Sequence, residues 1–169
     1  MVYKKFFIAL ILFLPPVLMA ETLLSKDQGY WLLDLNLDQT VNKIVIRRGI
    51  RKTTLGPFEP GQYARLIKLS AGEYRITRIE LGDYGDISYI SEEYAGENLR
   101  AMVKPEAVNY LGRLTVINEP AFDIHVRNRL ATDYKRFQTT YSDVLKTYPL
   151  VEANVQGSHF ADVYLKGAE

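Results

Sequence analysis

Short runs of alternating apolar and polar residues, separated by turn residues, constrain the fold of this chain most strongly. From Gly29 to Leu37, Trp31 and every second residue after it are apolar, and Asp34 and Asn36 lie between them. This period of two is typical of a β-strand with one face in a core. Seven or more such runs, followed by one run with a helical period, predict a mainly β protein.

The runs that follow the first one predict how the early strands are connected. Three residues, Asp38 to Thr40, separate the first run from the run Val41 to Arg48. This spacing predicts a hairpin between the two. Gly49 to Gln62 contains Gly-Pro and Pro-Gly turn dipeptides and is predicted to be irregular. Glu73 to Leu81 is predicted as a strand. Its apolar phase shifts between Ile76 and Ile79, which indicates a β-bulge or a change of sheet.

The stretch Leu99 to Asn118 predicts two short strands joined by a turn at Pro105-Glu106. Strict alternation would place the side chains of the second strand on two separate faces. One predicted face carries Tyr110, Gly112, Leu114 and Val116, and the other carries Leu111, Arg113, Thr115 and Ile117.

The period changes near the end of the chain. Apolar residues spaced by three and four predict one amphipathic helix at about 130–148, capped by Asn128 or Thr132 and ended by Pro149. Its aromatic side chains are predicted to pack in the core. A last alternation, Phe160 to Leu165, predicts a final strand or an ordered tail. The pattern as a whole predicts a single antiparallel β-sandwich, residues 21–169, with one C-terminal amphipathic helix.

Residues 1–20 have the features of a secretory signal peptide. Lys4 and Lys5 precede the apolar run Phe6 to Leu14, and Ala20 is a small residue at the predicted cleavage point. The alternative is an uncleaved membrane anchor, but the run is shorter than the ~20 residues that span a bilayer. We expect a periplasmic or secreted protein that is not transmembrane after cleavage.

The charge and the absence of cysteine exclude several classes. Cleavage would leave 19 Lys and Arg against 20 Asp and Glu, a net charge of −1, and a near-neutral exported domain is not built to bind nucleic acid. The chain has no Cys, which excludes disulfides, a lipidated cysteine and cysteine-based metal or redox chemistry. No cofactor is predicted.

Two segments resemble a known group of proteins. They are LSAGEYRI, Leu69 to Ile76, and VKPEAVNYLGRLTV, Val103 to Val116, in which Glu106 stands where Gly is usual. They resemble small exported bacterial domains of unknown function with a transthyretin-like or carboxypeptidase-regulatory-like sandwich, many of them lipoproteins. The resemblance implies an immunoglobulin-like or transthyretin-like fold and brings no catalytic residues. This chain departs from the group by lacking the lipidation cysteine.

A basic segment is the first candidate site. Nine Lys and Arg lie between Lys43 and Arg78 against two acidic residues, and four of the nine crowd into one strand end and loop: Arg47, Arg48, Arg51 and Lys52. Such a cluster would attract lipid head groups, lipopolysaccharide or an acidic protein. The alternative is an ordinary solvated strand face.

An acidic segment, 80–97, is the second candidate site. It contains six acidic residues and three tyrosines, Tyr84, Tyr89 and Tyr94, that could stack on a sugar or a protein partner or could pack over the end of the sheets. Asp83 and Asp86 are weak candidates for Ca²⁺ ligands, because their spacing does not match an EF-hand.

The functional expectation is an exported, non-catalytic binding or accessory module that contacts a protein or an envelope component, with peripheral membrane contact as one form. The alternative is a hydrolase of glycan or peptide that uses carboxylates of the 80–97 segment with His125 or His159. No metal-binding histidine pair and no nucleophile-elbow motif is present in the sequence.

Overall fold

The computed structural model describes residues 23–82, 99–117 and 123–153, which form two β-sheets and two helices. The mainly β character that the alternating runs predict is confirmed. The elements in chain order are β1 Gln28–Leu37, β2 Val41–Arg48, β3 Arg51–Leu55, β4 Gly61–Ser70, β5 Gly72–Leu81, β6 Arg100–Val103, β7 Val108–Ile117, β8 Asp123–Arg127, α1 Leu130–Thr140, α2 Ser142–Thr147 and β9 Leu150–Glu152.

The strands form two sheets of different character. Sheet A has the order β4-β1-β7-β8, with β9 also paired to β7, and sheet B has the order β3-β2-β5-β6. Sheet B is antiparallel throughout its described pairs, but β7 runs parallel to both β1 and β9 in sheet A. The prediction of purely antiparallel pairing is therefore wrong for sheet A. The turn after β6 connects sheet B to sheet A. The next strand, β7, lies beside β1 and runs parallel to it.

The predicted hairpin between β1 and β2 is wrong, whereas the two strands predicted on either side of a turn at Pro105-Glu106 are confirmed. The strand β1 pairs with β4 and β7, so neither of its edges is open to β2, which pairs with β3 and β5 in the other sheet. The strand β6 lies in sheet B and β7 in sheet A, on either side of the turn at Pro105-Glu106. Each short connection crosses between sheets rather than folding back on its own strand.

The region between β2 and β4 contains a strand that was not predicted, because the turn dipeptides indicated an irregular segment. The strand β3 occupies Arg51–Leu55, within the segment predicted to be irregular, and it forms the hairpin partner of β2. The predicted bulge in β5 is confirmed. Val45 lies opposite Arg78 and Ile46 lies opposite Ile76, so Thr77 is the extra residue.

A second bulge, in β7, changes which face its side chains occupy. Leu32 pairs with Tyr110 and Asp34 pairs with Arg113, so two residues of β7 lie opposite one residue of β1. Gly112, with a φ of 134°, is one of the two residues that lie opposite Leu33. The bulge places Tyr110 and Arg113 on the same face, and the strict alternation predicted for this strand is wrong at this point.

Two apolar clusters lie on the two faces of sheet A. The larger cluster combines residues of both sheets, including Trp31 of β1, Ile76 of β5 and Leu114 of β7. The smaller cluster lies between sheet A and the helices and includes Tyr110 and Phe137. Sheet A is therefore covered on both faces, with sheet B on one side and the helices on the other.

The predicted helix is two helices instead of one. The chain leaves helical geometry at Tyr141, whose φ of −123° and ψ of 32° separate α1 from α2. The Tyr141 hydroxyl donates a hydrogen bond to the carbonyl of Ala64 in β4, which ties the break to sheet A. The N-cap of α1 is Arg129, so the prediction of Asn128 or Thr132 as the cap is wrong, although Asn128 accepts a hydrogen bond from the backbone N–H of Leu130 at 2.9 Å. The predicted core packing of the helix aromatics is confirmed, and the predicted strand Phe160 to Leu165 lies outside the described residues.

Candidate functional site: a basic row on the four-stranded sheet

The β2–β3 hairpin holds the four basic residues that the sequence singles out. Arg47 pairs with Lys52 and Arg48 pairs with Arg51, and the two-residue loop Gly49-Ile50 joins the strands. Directly opposite residues of an antiparallel pair point to the same face, and successive residues point to opposite faces. The four residues therefore form two pairs on opposite faces of sheet B.

The Arg48 pair lies on the inner face, toward sheet A. Arg48 is half-buried, and its guanidinium carbon lies 5.9 Å from the centre of the Tyr74 ring, which belongs to the larger core cluster. A Cβ at Gly72 would lie 2.6 Å from Nε of Arg48, so glycine leaves the space that this guanidinium occupies. Arg48 covers one end of the core.

The Arg47 pair lies on the outer face and continues across the whole sheet. Arg47 also pairs with Arg75 of β5, and Arg75 pairs with Arg100 of β6. With strands about 4.8 Å apart, four exposed basic side chains form a line roughly 15 Å long. We call Lys52, Arg47, Arg75 and Arg100 the basic row. Glu73 lies beside one end of it, 3.7 Å from Arg100.

Farther from the hairpin end, the outer face also contains a buried residue and an acidic one. Val45, farther along β2, is only 2% exposed although it points away from the core. Beyond it, Glu80 forms ion pairs with Lys43 and, at 3.8 Å, with Arg78. Glu80 is the carboxylate of the proposed hydrolase segment that the structure describes, and these two cations already engage it.

The other sequence candidates are not brought to this site. Tyr84, Tyr89, Tyr94, Asp83, Asp86 and His159 all lie outside the described residues. His125 is half-buried on β8, opposite Thr115 in sheet A. In the part of the chain that the structure describes, no three acidic or histidine side chains are grouped as metal ligands. The helices of that part are too short or too polar to cross a membrane.

A buried ionic cluster under α1 is the main polar group that sequence reasoning missed. The Asp34 carboxylate is fully buried and accepts hydrogen bonds from three side chains. These donors are Arg136 at 2.8 Å, Arg113 at 3.1 Å and the Tyr110 hydroxyl at 3.2 Å. Arg113 also donates to Asp133 of α1 at 2.9 Å. The cluster ties β1 and β7 to the helix.

The environment of the cluster acts on the Tyr110 hydroxyl. Burial raises the pKa of Tyr110 far above its ordinary value, and the negative charge of Asp34 adds to the effect. Arg113 and Asp133 are largely shielded from solvent as well. Each charge has a partner inside the cluster, so the arrangement supports attachment of α1 to sheet A rather than substrate binding.

One sequence signal could have revealed this cluster. The alternation predicts that Asp34 lies on the polar face of β1, but Tyr30 and Leu32 share that face. Two large apolar residues on the supposed solvent face indicate that a second layer covers it. The basic row could not be found in this way, because it depends on pairings between strands that are distant in sequence.

Comparison with known proteins adds no relative with an established role. No family model matches the chain, and no curated protein matches it. A leucine-rich repeat protein from Bacteroides thetaiotaomicron VPI-5482 shares 21% identity over 54% of this chain, with a TM-score of 0.36. This chain spans only 12% of that protein. A likeness at this level carries no argument about fold or function.

Proposed function

We propose that this chain is an exported, non-catalytic binding module of the cell envelope, which contacts an anionic envelope component through the basic row. The proposal includes a cleaved leader ending at Ala20 and a single sandwich of the immunoglobulin or transthyretin type. The observation that carries it is the alignment of four basic residues from four strands on one exposed face.

The energetics of the row support a binding role. Like charges placed directly opposite in a sheet oppose folding, and the row contains three such contacts. Their summed potential attracts anionic surfaces and weakens as salt is added. A solvent-exposed line of like charges is therefore suited to contact an anionic surface.

The buried cluster supports the non-catalytic part of the proposal. Asp34, Arg113 and Arg136 form the densest ionic group of the described residues, and they are engaged with one another. A catalytic carboxylate must reach its substrate, whereas Asp34 has no exposed surface.

Cross-linking in the native envelope tests the proposal. The chain is expressed with its own leader, cross-linked in its own cells, purified and analysed by mass spectrometry. The row variant combines Arg47→Gln, Lys52→Gln and Arg75→Gln. We expect the cross-linked product of the unchanged chain to be lost in this variant and to weaken as salt is raised.

A matched control removes the same charge elsewhere. Arg127→Gln, Lys135→Gln and Lys146→Gln change three exposed residues of β8 and the helices. We expect this control variant to keep the cross-linked product. A product that survives in the row variant, or that disappears equally in both variants, would refute binding through the row.

A further inference from the structure

The apex of the β2–β3 hairpin presents a large apolar side chain to solvent. Ile50 is 101% exposed, and it follows Gly49 in the two-residue loop. Gly49 has a φ of 54°, as the first loop residue of a type II′ turn requires. This tight turn fixes Ile50 at the tip of the hairpin, with its side chain in solvent.

Basic residues surround this apolar tip on both sides of the hairpin. Arg48 and Arg51 flank the loop on the inner face, and Arg47 and Lys52 follow on the outer face. A strand rises about 3.3 Å per residue, so both pairs begin within roughly 7 Å of the loop. The long side chains of Arg47, Arg51 and Lys52 can extend along the hairpin toward the tip while their charged ends stay in water. The Arg48 guanidinium instead lies against the Tyr74 ring.

We propose that the partner is an anionic lipid bilayer and that the hairpin inserts Ile50 among its head groups. This inference rests on the proposed function and specifies its ligand. An acidic protein surface would satisfy the basic residues alone. An anionic bilayer offers head-group phosphates and, about 5–10 Å deeper, an apolar layer that accepts Ile50.

Binding to synthetic vesicles tests the lipid specificity. The chain is expressed with its leader, the mass of the product is recorded, and the protein is sedimented with phosphatidylcholine vesicles, with or without phosphatidylglycerol. We expect binding to vesicles that contain phosphatidylglycerol and little binding to phosphatidylcholine alone.

The variants test which residues bind the vesicles. Ile50→Ser should weaken the binding about tenfold. The row variant should weaken it about a hundredfold, at roughly fivefold per charge. The control variant should bind like the unchanged chain.

Fluorescence tests insertion directly. Ile50→Trp adds a second tryptophan to Trp31, which is buried in the core. We expect phosphatidylglycerol with brominated acyl chains to quench the added fluorescence. Gln138→Trp, at an exposed position of α1 on the opposite side of sheet A, should not be quenched.

The outcomes separate this inference from the proposed function. A protein partner that depends on the row, without vesicle binding, would overturn the lipid ligand and leave the proposed function standing. Vesicle binding without quenching at position 50 would overturn insertion. Loss of both kinds of row-dependent binding would overturn both proposals.

Discussion

Asp34 illustrates how one residue determines the position of a helix. Its carboxylate is withdrawn from water but bonded to Arg113 of β7 and Arg136 of α1. Pairing two buried charges stabilises little in net terms, because desolvation offsets much of the attraction. Removing one partner is costly, because the remaining charge stays buried. The cluster therefore gives one position of α1 on sheet A a much lower free energy than positions in which a buried charge loses its partner.

Asp34→Asn should destabilise the protein by about 3 kcal/mol, because the neutral amide cannot balance the two guanidinium groups. Urea denaturation monitored by circular dichroism measures the change. Asp143→Asn is the matched control, because Asp143 is 80% exposed and its ion pair with Lys146 lies on the surface. Equal stability of the two variants would show that the Asp34 cluster is not a buried ionic attachment.

Tyr110 should make stability fall in alkaline solution. Its pKa is raised in the folded state, chiefly by burial, so the unfolded chain releases this proton first as the pH passes 10. Unfolding is then favoured increasingly with pH, by up to about 1.4 kcal/mol per pH unit. Tyr110→Phe keeps the ring against Phe137 and should make this decline shallower. Denaturant titrations at several pH values above 9 measure the slope, and an unchanged slope would contradict the assignment.

At the scale of the element, the bulge in β7 assembles the buried cluster. If β7 alternated strictly, Tyr110 and Arg113 would point to opposite faces, and only one of them could reach Asp34. Gly112 permits the bulge through its positive φ and its lack of a side chain.

Gly112→Ala should therefore cost roughly 2–4 kcal/mol. The new Cβ would lie 2.7 Å from Cγ1 of Val126 and 2.9 Å from the carbonyl oxygen of Arg127, in a backbone region that alanine rarely adopts. The midpoint of urea unfolding reports the loss. Gly49 also has a positive φ, but a Cβ added there would meet no atom within 4 Å. We therefore expect Gly49→Ala to lower the free energy of unfolding by less than Gly112→Ala does. A larger loss at Gly49 would contradict the role given to the bulge.

The sequence predicts where elements lie better than how they pair. The strands β1, β2, β5 and β7 coincide with predicted strand runs, because alternation is a local consequence of covering one face. Pairing depends on which edges remain free, and no local pattern shows that β4 and β7 occupy both edges of β1. The predicted hairpin between β1 and β2 is wrong for this reason.

The candidate site was likewise predictable only where its residues are close in sequence. Arg47 and Lys52 could be singled out because they are close in sequence. Their neighbours Arg75 and Arg100 lie on later strands, and only the register of sheet B aligns them. The covered face above Asp34 was predictable in principle, since Tyr30 and Leu32 are apolar residues on the same side of β1.

At the scale of the whole molecule, the described residues form two apolar clusters that share sheet A. Trp31 lies in the cluster between the sheets, whereas the helices contact the other cluster. Because β1 and β7 contribute side chains to both, loss of either cluster should remove the support of the other. We expect Trp31 fluorescence and the helical circular dichroism signal to change together in one urea transition.

Phe137→Ala provides the decisive variant for this expectation. The ring is fully buried in the helix-side cluster, so its removal should cost about 3–5 kcal/mol. Both signals should move to lower urea by the same amount. A shift confined to the circular dichroism signal would show that the helices and the sheets unfold independently.

The central position of β1 in sheet A has a consequence in time. This strand is made early, yet its parallel partner is complete only when Ile117 has been added. At a synthesis rate of about 5–20 residues per second, roughly 4–16 seconds pass between completion of β1 and completion of β7. During this time β1 has apolar side chains on both faces and lacks its parallel partner. The chain is thus most prone to aggregate before its synthesis ends, and a chaperone that holds Gln28–Leu37 would act in this interval.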